Sequence, residues 1–251
     1  MDYSAYKKQW LAEEAAGFQG WDFSRLKGRY WEEPVRWDYA QIVRSYLKEN
    51  HVLLDMGTGG GEFLLTLNHP YPLTHVTEAY PPNVELCRNR LSPLGIHVEQ
   101  VFEDAHLPFA DETFDIIINR HESFDMGEVR RILKPGGLFI TQQVGGENSV
   151  ALASVLLPGF RGQYPDNTLA NGVEAAQGAG FEILMQDEDF PITRFYDIGA
   201  LVYFAKIIEW EFPGFSVESC FAELCDLQAE LEKTGYVENR EHRFIVVSRK
   251  M

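Results

Sequence analysis

The chain has 251 residues, 45% hydrophobic and 24% charged, enough to bury one sizeable core and ordinary for an enzyme of the aqueous phase. Its 38 acidic side chains against 22 basic ones leave a net charge of −16, which opposes a phosphate backbone and argues against nucleic acid as a partner. Three cysteines cannot build a disulfide framework, no Cys/His cluster has zinc spacing, and no apolar run approaches a membrane span. The expectation is a cytoplasmic protein with neither a metal nor a membrane segment, a monomer or a homodimer.

Residues 1–45 carry Trp10, Trp21, Trp31 and Trp37, four of the five tryptophans, with Phe18, Phe23, Tyr30 and Tyr39 among them. Such rings bury large areas and suit the walls of a substrate pocket, Trp21, Phe23 and Trp37 foremost. Next comes Leu53-Leu54-Asp55-Met56-Gly57-Thr58-Gly59-Gly60-Gly61-Glu62, an apolar strand closed by an acid and followed by glycines at alternate positions. Glycines there let the backbone turn sharply and approach a ligand where a side chain would intrude. A helix from about Gly61 to Leu67 would point its amides at that ligand. The G-x-G-x-x-G spacing of a pyrophosphate dinucleotide site is broken, because Glu62 and Leu64 stand where it needs glycine.

A second strand, His75 to Thr77, ends at Glu78, about twenty residues past the loop, where an acid can take both hydroxyls of a ribose. Val98 to Phe109 reads as a third strand and a loop bearing Asp104 and Ala105. Asp111 to Glu122 is an acidic turn leading into a buried fourth strand whose β-branched run suits the interior of a parallel sheet, and its end delivers Asn119, His121 and Glu122. Glu128 to Thr141 holds a helix, a Lys134-Pro135-Gly136-Gly137 turn and a fifth strand. Leu157 to Pro165 is a surface loop. Sixth and seventh strands fall near Phe181 to Asp187 and His242 to Ser248, with helices at Asp197 to Trp210 and Ser216 to Thr234 between them and Tyr196 just ahead of the first.

The spacing D-x-G-x-G-x-G from Asp55, followed in order by Glu78, Asp104, the Asn119 strand and the Lys-Pro-Gly-Gly turn, resembles the class I S-adenosylmethionine-dependent methyltransferases, and among them the small-molecule, type 11-like family. The likeness covers about residues 50–145. It implies an α/β fold, a Rossmann-like doubly wound sheet of seven strands, mostly parallel with the last antiparallel. A helical N-terminal lid (1–45) would precede a methyltransferase domain (46–251), with a helical insertion near 191–240 covering the acceptor. The resemblance implies S-adenosylmethionine as cofactor, leaving as S-adenosylhomocysteine and held by Asp55, Gly57, Thr58, Gly59, Gly61, Glu78, Ala79, Asp104, Ala105 and Asn119. The acceptor would be a small molecule in a pocket of Trp21, Phe23, Trp37, His121 and Tyr196. His121 is the candidate catalytic residue, since an imidazole of ordinary pKa near 6.5 suits general base work at neutral pH, with Glu122 and His106 behind it. The alternatives are an RNA or protein methyltransferase and a cofactor-binding protein without transfer activity.

Overall fold

The computed structural model describes residues 3–17 and 23–251. In chain order the elements are α1 (Tyr3–Glu14), β1 (Tyr30–Glu32), α2 (Tyr39–Tyr46), β2 (Leu53–Met56), α3 (Glu62–Thr66), β3 (Thr74–Glu78), α4 (Pro81–Arg90) and β4 (His97–Gln100). There follow β5 (Phe114–Arg120), α5 (Met126–Ile132), β6 (Leu133–Val144), α6 (Val150–Leu156), α7 (Leu169–Gly178) and β7 (Phe181–Asp189). The chain closes with β8 (Ile192–Phe195), α8 (Ile198–Ile207), α9 (Phe221–Thr234), β9 (Val237–Arg240) and β10 (Arg243–Lys250). These elements form two compact units. The larger is Arg36–Val144 with Asn167–Glu188 and Phe244–Met251; the smaller combines the described residues of 1–35 with Gly145–Asp166 and Asp189–Arg243.

The larger unit is built on a seven-stranded sheet in the order β4-β3-β2-β5-β6-β10-β7, parallel except for the last strand of the chain, which is the expected Rossmann-like architecture. Its central strands read as unbroken apolar runs because both faces are covered: Leu53, Leu54, Ile116, Ile117 and Ile118 are fully buried, each contributing about 1.5–3 kcal/mol by its removal from water. Leu54, Ile117 and Phe139 pack with Val129 and Ile132 of α5 into one hydrophobic cluster. From β2 the chain steps outward to β3 and β4, then returns to the other flank of β2 as β5. That reversal opens a crevice at the carboxyl ends of β2 and β5, the usual ligand position in such sheets. Parallel register places Met56 beside Thr77 on one side and Asn119 on the other, and Asn119 beside Thr141.

The smaller unit contains a three-stranded antiparallel sheet, β1-β8-β9, that sequence patterning did not disclose. Tyr30 pairs with Phe195, and Phe195 with Val237. Strands of three or four residues are too short to establish a period of two, and β1 sits inside an aromatic stretch that read as helical lid. Trp10 is buried in this unit's core with Phe195, Leu201, Phe212 and Leu224, its ring stacked on Tyr6 at 5.6 Å. Helix α8 is apolar on all sides and buried, and Asp197 caps it by accepting from the amide of Ala200 at 2.8 Å. Arg29 grips Asp197 through two hydrogen bonds of 2.8 and 2.6 Å and Glu13 at 3.1 Å, tying α1 to the start of α8.

In the large sheet the rings of His75 and His97, register partners on β3 and β4, stack at a centroid distance of 4.4 Å. Burial, with the His97 charge second, pushes the His75 pKa down to about 4 from 6.5. The unfolded chain therefore binds a proton that the folded chain refuses between those values, so stability falls as pH drops through this window. Thermal unfolding followed from about pH 7 to about pH 5 is expected to show a falling midpoint in the wild type, and a shallower fall in His75→Phe.

Candidate functional site

At the carboxyl end of β2 the backbone turns through three left-handed glycines, Gly57, Gly59 and Gly61, at φ of 67°, 63° and 76°. The amides of Gly57 and Thr58 both donate to the carbonyl of Thr77 at 3.1 Å, and that of Gly61 to Thr58 at 3.0 Å, so the loop is pinned to the end of β3. Space is as tight as conformation: a Cβ on Gly57 would lie 2.5 Å from Glu122 Cγ, and one on Gly61 2.8 Å from Leu91.

Acids surround this turn. Asp55 is buried and accepts from Thr58 Oγ1 at 2.7 Å; burial, aided by the Glu78 charge, pushes its pKa up to about 7 against the pull of Thr58 and Arg120. Glu78, also buried, accepts from the Gly59 amide at 2.9 Å through one oxygen and from the amides of Ala79 and Tyr80 at 3.0 and 3.1 Å through the other. A carboxylate has about four lone-pair sites, so three amides leave room for a further donor. The Glu122 pKa is raised by burial first and then by the charges of Glu78 and Asp104. Asp104 is half-buried and Ala105 exposed on the loop after β4. Arg131 holds that loop by donating to the carbonyls of Leu107 and Phe109 and to Glu128, and Glu128 in turn accepts from the Leu107 amide at 2.9 Å. Arg131 keeps the Glu128 pKa down at about 2.

Beside the glycine turn, β5 ends in a polar network. Asn119 is fully buried; its Oδ1 accepts from Thr141 Oγ1 at 2.9 Å and Gln143 Nε2 at 2.6 Å, and its carbonyl from the Tyr39 hydroxyl at 3.1 Å. Its Nδ2 has no partner among the described residues. Next along the chain, His121 sits in the left-handed region at φ 63° and donates its amide to the Gln142 carbonyl at 2.8 Å. The Gln142 side chain lies with Nε2 3.0 Å from His121 Nε2 and with Oε1 accepting from Trp37 Nε1 at 2.8 Å.

Sequence reasoning singled out Asp55, Glu78, Asn119 and His121 but missed Tyr39, Thr141, Gln142 and Gln143. A signal for three of them was present: Thr141-Gln142-Gln143 is a polar run closing an apolar, buried strand, and buried amides must find partners. The structure divides the expected pocket residues. Trp37 and His121 stand in the larger unit, Trp37 buried with its only polar atom bound to Gln142. Phe23 packs against the core of the smaller unit, Tyr196 is 43% exposed there, and Trp21 lies outside the described residues. His106 is exposed and paired with Glu103 at 3.2 Å. Among the described residues no His, Cys, Asp and Glu side chains cluster as a metal site would require, and no helix is long and apolar enough to cross a membrane.

Residues 54–141, from within β2 to within β6, match the model of the methyltransferase domain family. Similar proteins include the sterol 4-C-methyltransferase of Caenorhabditis elegans, 33% identical over 46% of this chain and 38% of that protein. A phthiotriol/phenolphthiotriol dimycocerosates methyltransferase of Mycobacterium tuberculosis is 34% identical over 38% of this chain and 37% of its own length. The chain thus spans less than half the length of these relatives. Among solved structures, a putative methyltransferase of Bacillus halodurans superposes with a TM-score of 0.57 at 20% identity, covering 85% of this chain and 98% of that one. The [4+2]-cyclase SpnF superposes at 0.51, also at 20% identity, over 98% and 94%. A cyclase on the same scaffold means that the fold alone does not assign a reaction.

Gly57→Ala would force a Cβ into the Glu122 side chain from a left-handed backbone. A loss of about 1–3 kcal/mol is expected in urea unfolding, because the strain has no relief within the pinned turn.

Proposed function

We propose that the protein transfers a methyl group from S-adenosylmethionine to a small-molecule acceptor. The observation that carries this is the pairing of a glycine turn open to a ligand's backbone approach with buried acids rather than bases: Asp55 and Glu78 flank the turn. A dinucleotide's pyrophosphate would be repelled there, whereas an ammonium and ribose hydroxyls are donors that carboxylates accept. The Nδ2 of Asn119, buried near the end of the adjacent strand and without a partner among the described residues, would offer a donor to such a ligand's carboxylate or adenine acceptors. Asp55, Gly57, Thr58, Gly59, Gly61, Glu78, Ala79, Asp104, Ala105 and Asn119 would hold the cofactor, which supplies an activated methyl group on a sulfonium.

With the leaving group already activated, the residues of this chain need only bind, align and exclude water. His121 is the candidate catalytic side chain, and Trp37 of the same unit a candidate acceptor contact. Small acceptors are favoured because the relatives' names specify a sterol and phthiotriols, and because the net charge of −16 opposes RNA. A cytoplasmic setting suits three free cysteines, two of them buried.

Titration calorimetry of the full chain is expected to show binding of S-adenosylmethionine and none of NAD; the reverse would overturn the reading. Because burial raises the Asp55 pKa to about 7, its ionised form, the one that attracts a cation, grows as pH rises through neutrality. Affinity is therefore expected to increase several-fold from about pH 6 to about pH 8, with proton release, and this dependence to flatten in Asp55→Asn. His121→Asn is expected to leave cofactor affinity within a few-fold and to slow methyl transfer by about 10²-fold or more, measured with labelled cofactor on a metabolite extract. Unchanged turnover would remove His121 from catalysis.

A further inference from the structure

At the end of the large sheet opposite the glycine turn lies a second cleft of about 320 Å³, at the lower end of the range for small-molecule sites. Its lining comes from the larger unit alone: the end of α2 and the turn after it, the starts of β5 and β6, and the end of β10. The seven residues of β5 separate the two ends by roughly 20 Å, and the cleft shares no residue with the candidate cofactor site. Lys48, Lys134 and Arg249 line it together with one carboxylate, Asp115. Three cations against one acid leave a surplus of two positive charges, in a chain whose net charge is −16. Salt screens exposed charges beyond about 10 Å, so an anion in this cleft would answer to these neighbours before the acidic remainder of the chain.

Hydrogen bonds hold the walls of the cleft in place without consuming its cations. Asp115 accepts from the Val52 amide at 2.8 Å and from Lys134 Nζ at 2.7 Å, joining the turn before β2 to the starts of β5 and β6. The His51 amide closes that turn by donating to the Lys48 carbonyl at 3.0 Å, and the Lys48 amide lies 3.4 Å from His51 Nδ1. The His51 carbonyl in turn accepts from His69 Nε2 at 2.8 Å. Lys48 makes no ion pair among the described residues, and Arg249 meets Glu182 at 3.3 Å between two half-exposed side chains, a pairing worth little in water. Lys134 spends one of its three N–H donors on Asp115. Burial lowers the His51 pKa, and the charges of Lys48, His69 and Lys134 lower it further against the pull of Asp115, as expected where negative charge is short.

We propose that this cleft is a second ligand site, which binds the phosphate monoester of a small organic molecule. A monoester carries a charge of about −1.5 to −2 at pH 7 and three acceptor oxygens, which match the surplus charge of the lining and the donors of Lys48, Lys134 and Arg249. The rings of Tyr46 and Pro135 and the buried Leu138 give the organic part an apolar wall, and the cleft has more room than an inorganic ion fills. A single carboxylate would leave part of the surplus uncompensated, and a polyanion would run out of the cleft into the negative field of the rest of the chain. The inference does not depend on the methyltransferase reading, since no residue of the cleft takes part in it.

Histidine ring signals of the full chain, followed by magnetic resonance while phenyl phosphate is added at about pH 7.5 and constant ionic strength, read the cleft through His51. His51, assigned through the loss of its signals in His51→Gln, is expected to shift saturably with a dissociation constant of about 1 mM or below, while His121 at the opposite end of β5 stays in place. Sodium chloride of equal ionic strength is expected to move neither, and inorganic phosphate to bind several-fold more weakly than the ester. Lys48→Gln is expected to weaken binding a few-fold, and Lys48→Gln combined with Arg249→Gln by about tenfold or more, with the unfolding midpoint retained because both side chains are exposed. No saturable shift of His51, an affinity unchanged in both variants, or inorganic phosphate binding as tightly as phenyl phosphate would overturn the proposal.

Discussion

The parallel pairing of β2 with β3 on one side and β5 on the other is the constraint from which the candidate site follows. Pairing on both sides puts Met56, Thr77 and Asn119, at or one residue before the ends of three strands, next to one another at one edge of the sheet. The chain leaving β2 must then turn at once, and it does so by handing the amides of Gly57 and Thr58 to the Thr77 carbonyl. Only glycine satisfies this turn at Gly57, where a left-handed backbone coincides with the Glu122 side chain pressed against the position a Cβ would take.

The same geometry concentrates unfavourable charge. Burial first, and then the charge of Glu78 on Asp55 and of Glu78 and Asp104 on Glu122, raises the proton affinity of Asp55 and Glu122. Glu78 is held in place by three loop amides, so the acids cannot relax apart without dismantling the turn. Mutual repulsion that costs stability in the free protein becomes attraction for a cationic ligand, which is a common economy of binding sites.

The smaller unit solves a different problem. Its short antiparallel sheet and α8, buried from Ile198 to Ala205, make a core of their own, and the residues following β6 enter it through buried polar contacts. Asn148 Oδ1 accepts from the His242 amide at 2.8 Å and from Arg243, Asn148 Nδ2 donates to Glu211, and Arg243 pairs with Glu241 at 2.6 Å. Burial pushes the Glu241 pKa up to about 7 despite that partner, a measure of how dry the interior is. None of these residues lies in the stretch matching the family.

The sequence alone determined what depends on residues close in the chain: the apolar runs that become parallel strands, the glycine turn, and the acids that close β2 and β3. Asp55, Glu78 and Asn119 were legible because each lies at or one residue before the end of a strand, and a strand end is a local property. The β1-β8-β9 sheet was not, because strands of three or four residues carry no readable period and β1 finds its partner more than 150 residues away, as Tyr30 finds Phe195. Nor was the link from Trp37 through Gln142 to His121, which joins residues 105 positions apart. Tertiary structure alone decided the proton affinity of Asp55, because it depends on which groups exclude water from the side chain and which meet it across the fold.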